Sequence, residues 1–286
     1  MILKEEYKEY YKSKLDHETI KSYLRLIEAF CVVFNPVEAT YEDLTQYFLE
    51  VKKTVATTVK CGLSSYFKFL CIKGYRVDDP TGLMDIDSGS KDVDLTALLS
   101  KQELDTILPY RENEKERYQD LKWRNLFLLS LVRYQGLSNK DLMALEIDDI
   151  IDDSEVEIGA KKRLMGNRYE LVGKQVAYWM KYKAVRERII SEDTNKVFLN
   201  KRGFVLSKDG ITTVFEAIKP LFPTKIIHNE TLRQAVIFEK AKDTEDLRGT
   251  QKFARHKWSS TTAKYFNFLS DELKDEVEEL HPFNFM

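Results

Sequence analysis

Cysteine is scarce in this chain. Its 286 residues include three, Cys31, Cys61 and Cys71. An odd number without ligand spacing argues against a disulfide scaffold and against a zinc knuckle. All three stand in apolar company, so they read as reduced and buried. There are only four histidines, and they are scattered at His17, His228, His256 and His281. No metal site and no cofactor are expected from them. No apolar run approaches the roughly 20 residues that a membrane-spanning helix needs. The opening MILKEEYKEYYKSK lacks the apolar centre of a secretory signal, so the cytoplasm is the expected place. An excess of one charge is also missing. With 45 basic and 47 acidic residues the formal net charge is −2. That excludes a generic polycation but leaves room for a local basic face. No internal repeat or low-complexity tract stands out.

What is present is a mainly helical pattern. The length suits two domains. In the first, Ile20, Tyr23, Leu24, Ile27 and Phe30 recur at helical spacing. Thr40 with Asp43 three residues on reads as a helix start. A third helix carries Val59, Leu63, Phe67 and Leu70 and stops near Gly74. Residues 78–95 are rich in Pro, Gly, Ser and Asp and have no period. The expected organisation is a helical domain over 1–85, a linker over 86–95, a second domain over 96–269 and a tail over 270–286. Ser100 and Glu103 form a capping-box pattern at the start of the second domain. Ser138 caps a short helix. Val156 and Ile158 before a basic turn, with Tyr169 and Leu171 after it, predict a small hairpin with a positive tip. KVFLNKRGFVLSKDG reads as a short strand and turn. The tail carries six acids and one lysine over residues 271–280. Leu269, Leu273, Val277 and Leu280 form an apolar strip there, suited to docking in cis or in trans.

The richest stretch runs from Arg233 to His256 and on to Tyr265, spacings of 23 and nine residues. A strong base, a proton donor and a phenol are the parts needed to break and rejoin a DNA strand. Residues 225–257 hold eight Lys or Arg against five Asp or Glu. Lys161, Lys162, Arg163 and Arg168 add charge from the hairpin, and Arg255 and Lys257 flank His256. This set is the expected DNA backbone surface. Thr57, Thr58, Lys60 and Lys68 are softer candidates from the first domain.

Three segments in order, RYQGLSNKDLMALEIDDI, NETLRQAVIFEKAKD and KFARHKWSSTTAKYF, resemble motifs of the tyrosine recombinase (phage integrase) family, over nearly the whole chain. The resemblance implies an N-terminal SAM-like core-binding domain and a mostly helical catalytic-fold domain with a small β-hairpin or sheet. It implies Tyr265 as the nucleophile that forms a 3′-phosphotyrosine. It implies phosphate contacts from Arg233 and His256, and a proton-donating lysine at Lys161 or Lys162. Four positions depart from the pattern. Ser138 replaces the first arginine, Glu230 the first histidine, Gln234 the second histidine of that helix, and Arg255 a glycine. Arg133, five residues before Ser138, is the one candidate for rescue. The expectation is a sequence-specific duplex-DNA-binding protein that holds its site without recombining it, a repressor of a phage or mobile element, with Tyr265 vestigial. The alternatives are an active recombinase with an atypical site, and a protein-interaction modulator of a recombinase. Self-association through the tail is a further expectation.

Overall fold

The computed structural model describes residues 3–86, 97–115, 118–161 and 164–279, with side chains described as far as Ser270. The chain divides into two compact units, Met1–Asp92 and Val93–Met286. Most of the expected linker lies outside the described residues.

The first unit holds α1 (Lys4–Tyr11), α2 (His17–Val33), α3 (Tyr41–Glu50) and α4 (Lys53–Ile72). Thr40 starts α3 with a reciprocal cap. Its hydroxyl accepts from the Asp43 amide at 3.2 Å, and the Asp43 carboxylate accepts from the Thr40 amide at 2.9 Å. Gly74, at φ +77°, ends α4 in a left-handed turn that favours glycine. Ile27, Phe30, Leu44, Leu63 and Phe67 are fully buried between α2, α3 and α4. Thr57, Thr58 and Lys68 lie on the exposed side of α4. Lys60 is instead tied to the Met84 carbonyl.

The second unit is built around α6 (Gln119–Gln135), which is buried on nearly every side from Asn125 to Val132. That explains its near-continuous apolar run, since no face needs to be polar. Before it comes α5 (Lys101–Asn113), capped by Ser100 and Glu103 as expected. After it come α7 (Asn139–Ala144), β1 (Ile150–Ile151), β2 (Glu155–Ile158), β3 (Asn167–Glu170), α8 (Gly173–Ile189), α9 (Lys208–Glu216), α10 (Asn229–Thr244), α11 (Leu247–Ala254) and α12 (Ser259–Glu279). The sheet is antiparallel in the order β1-β2-β3, with Val156 opposite Tyr169 and Glu157 opposite Arg168.

The expected small hairpin or sheet is present as three strands, with Ile150 and Ile151 adding a short strand to the hairpin. Several other expectations need correction. The segment around Val197 makes isolated bridges, Lys196 with Glu146 and Leu199 with Val205, and no named strand. The tail is not a separate helix. α12 runs without a break from Ser259 to Glu279, so Tyr265 and the acidic stretch share one helix. Of the proposed apolar strip, Leu269 packs on the core of this unit. Leu273, Val277 and Leu280 lie outside the described side chains. The cysteines are free but not buried. Cys61 is exposed, while Cys31 and Cys71 are half-buried.

Candidate functional site

Four chain segments meet at one end of the second unit: the α6–α7 corner, the hairpin tip, the N-terminal half of α10, and the α11–α12 junction. Arg233 joins them. It projects from α10, is 4% exposed, and donates from Nη2 to the Ala254 carbonyl at 2.6 Å and from Nη1 to the Gly136 carbonyl. Gly136 ends α6 at φ +59°. Its left-handed turn directs the carbonyl network toward α10, and Asn229 adds a bond to the Leu137 carbonyl at 3.1 Å. Both ends of the Arg233 fork therefore serve backbone groups. Burial lowers its pKa, while the Glu230 carboxylate opposes that shift.

His256 follows α11 directly. Its Nδ1 lies 2.9 Å from the Thr262 hydroxyl in the first turn of α12, which fixes the ring. Burial first, then the positive charges of Arg233 and Arg255, push its pKa down to about 4. The ring is therefore neutral at pH 7. Tyr265 sits one turn further along α12, its ring nearly parallel to that of His256 (11°) with centroids 6.5 Å apart. It also packs on Phe238 of α10. Burial pushes the phenol up to about 12, with Arg233 lowering and Glu230 raising the value. The exposed Glu230 carboxylate is thus within electrostatic reach of both Arg233 and Tyr265. Gln234 is half-buried on the same helix.

The α7 corner is organised by a residue that the sequence reading passed over, Asp141. Ser138 caps α7. Its amide and hydroxyl donate to Asp141 Oδ2 at 2.9 and 2.7 Å. Arg255 donates from Nη2 to the same oxygen, and Lys161 Nζ donates to the other, Oδ1, at 2.7 Å. Burial raises the Asp141 pKa, but the Arg255 guanidinium, Lys161 and Ser138 outweigh it and hold the carboxyl at about 2. The S-x-x-D capping pattern was available in the sequence. Its cross-chain partners were not.

The remaining candidates divide clearly. Lys161 reaches the pocket rim and also bonds the Lys140 carbonyl at 2.9 Å. Lys162 and Arg163 lie outside the described residues. Lys257 is exposed beside His256. Arg168 pairs with Glu155 across the hairpin. Arg133 does not turn toward Ser138. It donates to Asp105 at 2.7 Å and lies 5.4 Å from the Tyr134 ring centre. Arg255, expected as a surface contact, has no exposed area at all. Two further anchors went unnoticed in the sequence. Tyr169 donates to the Phe253 carbonyl at 2.6 Å, and Asn167 to the Lys252 carbonyl at 3.3 Å. They fasten the hairpin to the end of α11, and the Met165 amide adds a bond to the Arg255 carbonyl at 2.7 Å.

A neutral histidine at the α11–α12 junction, a buried arginine on α10 and a phenol on α12 are held together, with Lys161 nearby on Asp141. The phage integrase family model matches residues 97–271, more than half of the chain. The chain belongs to the phage integrase family. Among curated relatives, the tyrosine recombinase XerD of Haemophilus ducreyi is 25% identical over 95% of this chain and 94% of its own length. The tyrosine recombinase XerH of Campylobacter jejuni is 24% identical over 84% of this chain and 75% of its own. The Tn1549 transposon integrase, solved with transposon right end DNA, matches with a TM-score of 0.69 at 14% identity, covering 98% of this chain and 99% of that one. XerH solved with palindromic difH substrate in a post-cleavage complex gives 0.67 at 16% identity, covering 90% and 78%. At those identities the structural likeness establishes the fold, mostly helical with one small antiparallel sheet. Among the described residues, no three or more potential metal ligands come together, and no helix is long and apolar enough to cross a membrane.

Proposed function

We propose that this phage integrase family member is a sequence-specific duplex-DNA-binding protein that holds its site without recombining it. Such a protein suits transcriptional repression in a phage or mobile element. The observation that carries the reading is the divided state of the pocket. Arg233, His256 and Tyr265 are assembled, while Ser138 serves as a helix cap and Glu230 places a carboxylate within electrostatic reach of both Arg233 and Tyr265. Strand cleavage builds extra negative charge on the phosphate, so a missing cation and an added anion weigh more on the transition state than on binding. The phenol, pushed up to about 12, is also harder to ionise than a free tyrosine. Binding relies on many phosphate contacts and survives the loss of one.

The test is trapping on nicked suicide DNA that carries a site found by genomic footprinting. The expected outcome is specific retention without a covalent adduct on denaturing gels. An adduct that disappears in Tyr265→Phe overturns the non-cutting part. Absence of any footprint overturns the DNA-binding part. A second reading, an active recombinase, is favoured by the parallel His256 and Tyr265 rings and by the XerD likeness over 95% of the chain. The adduct decides between the two.

A further inference from the structure

Arg255 combines three unfavourable features. Its backbone is left-handed, at φ +59°, a conformation that favours glycine. Its side chain has no exposed area. Only Nη2 is occupied, on Asp141, while Nε and Nη1 have no hydrogen-bond partner among the described residues. Buried N–H groups are nearly always paired, so an idle guanidinium edge calls for a ligand. Structural pairing with Asp141 does not account for it, because that takes one nitrogen of three.

The location is informative. Asp141 Oδ2 receives both the Arg255 Nη2 and the Ser138 hydroxyl. The guanidinium therefore lies within two hydrogen-bond lengths, roughly 5–6 Å, of the side chain at 138. Its field also reaches Arg233 and His256, whose pKa values it lowers. Arg233 and Lys161 are positive, Asp141 and Glu230 are negative, and His256 is neutral, so Arg255 adds a positive charge to a group that is otherwise closely balanced.

We propose that Arg255 is a phosphate-binding residue of this site, adding attraction for bound DNA backbone from the end of α11 without replacing the cation missing at position 138. The proposal rests on the DNA-binding reading. The guanidinium has no exposed area in the free protein, so the proposal requires a local rearrangement when DNA binds. That rearrangement gives the idle N–H groups their partners.

The test separates ligand binding from structural pairing by working on an Asp141→Asn background, where Arg255 no longer has a carboxylate to neutralise. Duplex affinity on the footprinted site is measured by fluorescence anisotropy across salt, using full-length protein. Thermal melts confirm that each variant is folded. Asp141→Asn alone should bind more tightly than the wild type. Adding Arg255→Gln should weaken binding about tenfold relative to Asp141→Asn and reduce the log–log salt slope by about 0.9, one phosphate contact. Arg255→Lys on the same background should keep the slope. Equal affinity and slope for Asp141→Asn and the Asp141→Asn/Arg255→Gln pair, both folded, overturns the proposal. If the pair does not fold, unchanged affinity in Asp141→Asn alone overturns it. No duplex affinity in the wild type removes the DNA-binding reading itself, a distinct failure.

Discussion

The two sides of the pocket contrast sharply. On the α10–α12 side, Arg233 and His256 are held by bonds to neighbouring backbone and hydroxyl groups, and Tyr265 by packing on the rings of His256 and Phe238. On the α7 side, Ser138 caps the helix, and Arg255 and Lys161 both pair with Asp141. Asp141 joins the two sides by accepting from both. Motif residues can therefore stay together on one side while the matching position on the other serves as a helix cap. Retained identity at a motif position says where a side chain begins. Its partners decide what it does.

The comparison breaks first at Arg233. Arg233→Ala leaves the Gly136 and Ala254 carbonyls without their buried donor, at a cost of about 1–3 kcal/mol each. It should lower unfolding free energy by roughly 2–5 kcal/mol in denaturant titration. A variant as stable as the wild type would show that the arginine is not the clamp between α6, α10 and α11. Sequence reasoning alone treats this residue as a phosphate contact. Its burial makes it structural as well.

Acid titration sharpens the contrast, because each side has its own window. His256 has a folded pKa near 4 against an ordinary value of 6.5. The unfolded chain takes up the proton first, so stability is full above pH 6.5 and falls as pH drops toward 4, by about 3 kcal/mol. Asp141, near 2 against 3.8, contributes stability that is present above pH 3.8 and is lost as pH falls toward 2, by about 2 kcal/mol. His256→Gln should flatten the upper window and Asp141→Asn the lower one in pH-dependent unfolding. A single unchanged acid limb in both variants would separate these groups from acid stability.

The smallest effect is expected at Glu230. Glu230→Gln removes an exposed negative charge near Arg233 and should tighten duplex binding by about threefold at 0.1 M salt, less at higher salt. Weaker binding in an anisotropy titration would mean that the carboxylate helps rather than hinders DNA.

Much was legible in the chain because it depends on neighbours in sequence. The caps at Thr40, Ser100 and Ser138 follow from side chains meeting amides three residues on. The β2–β3 pairing follows from alternation around a basic turn, and the family follows from the ordered spacing of Arg233, His256 and Tyr265. Partners distant in sequence were not legible. Asp141 and Arg255 are 114 residues apart, and no local pattern ties them. Arg133 seemed placed to help Ser138, yet α5 presents Asp105 to it. Arg255 and Lys257 flank His256 in one basic cluster, but the αL turn after α11 sends Arg255 inward while Lys257 remains exposed. Local order in this protein was determined by the sequence through capping, periodicity and spacing. Which charges are buried, which are paired and which are left with idle hydrogen-bond donors was decided only when three separate segments closed around one carboxylate.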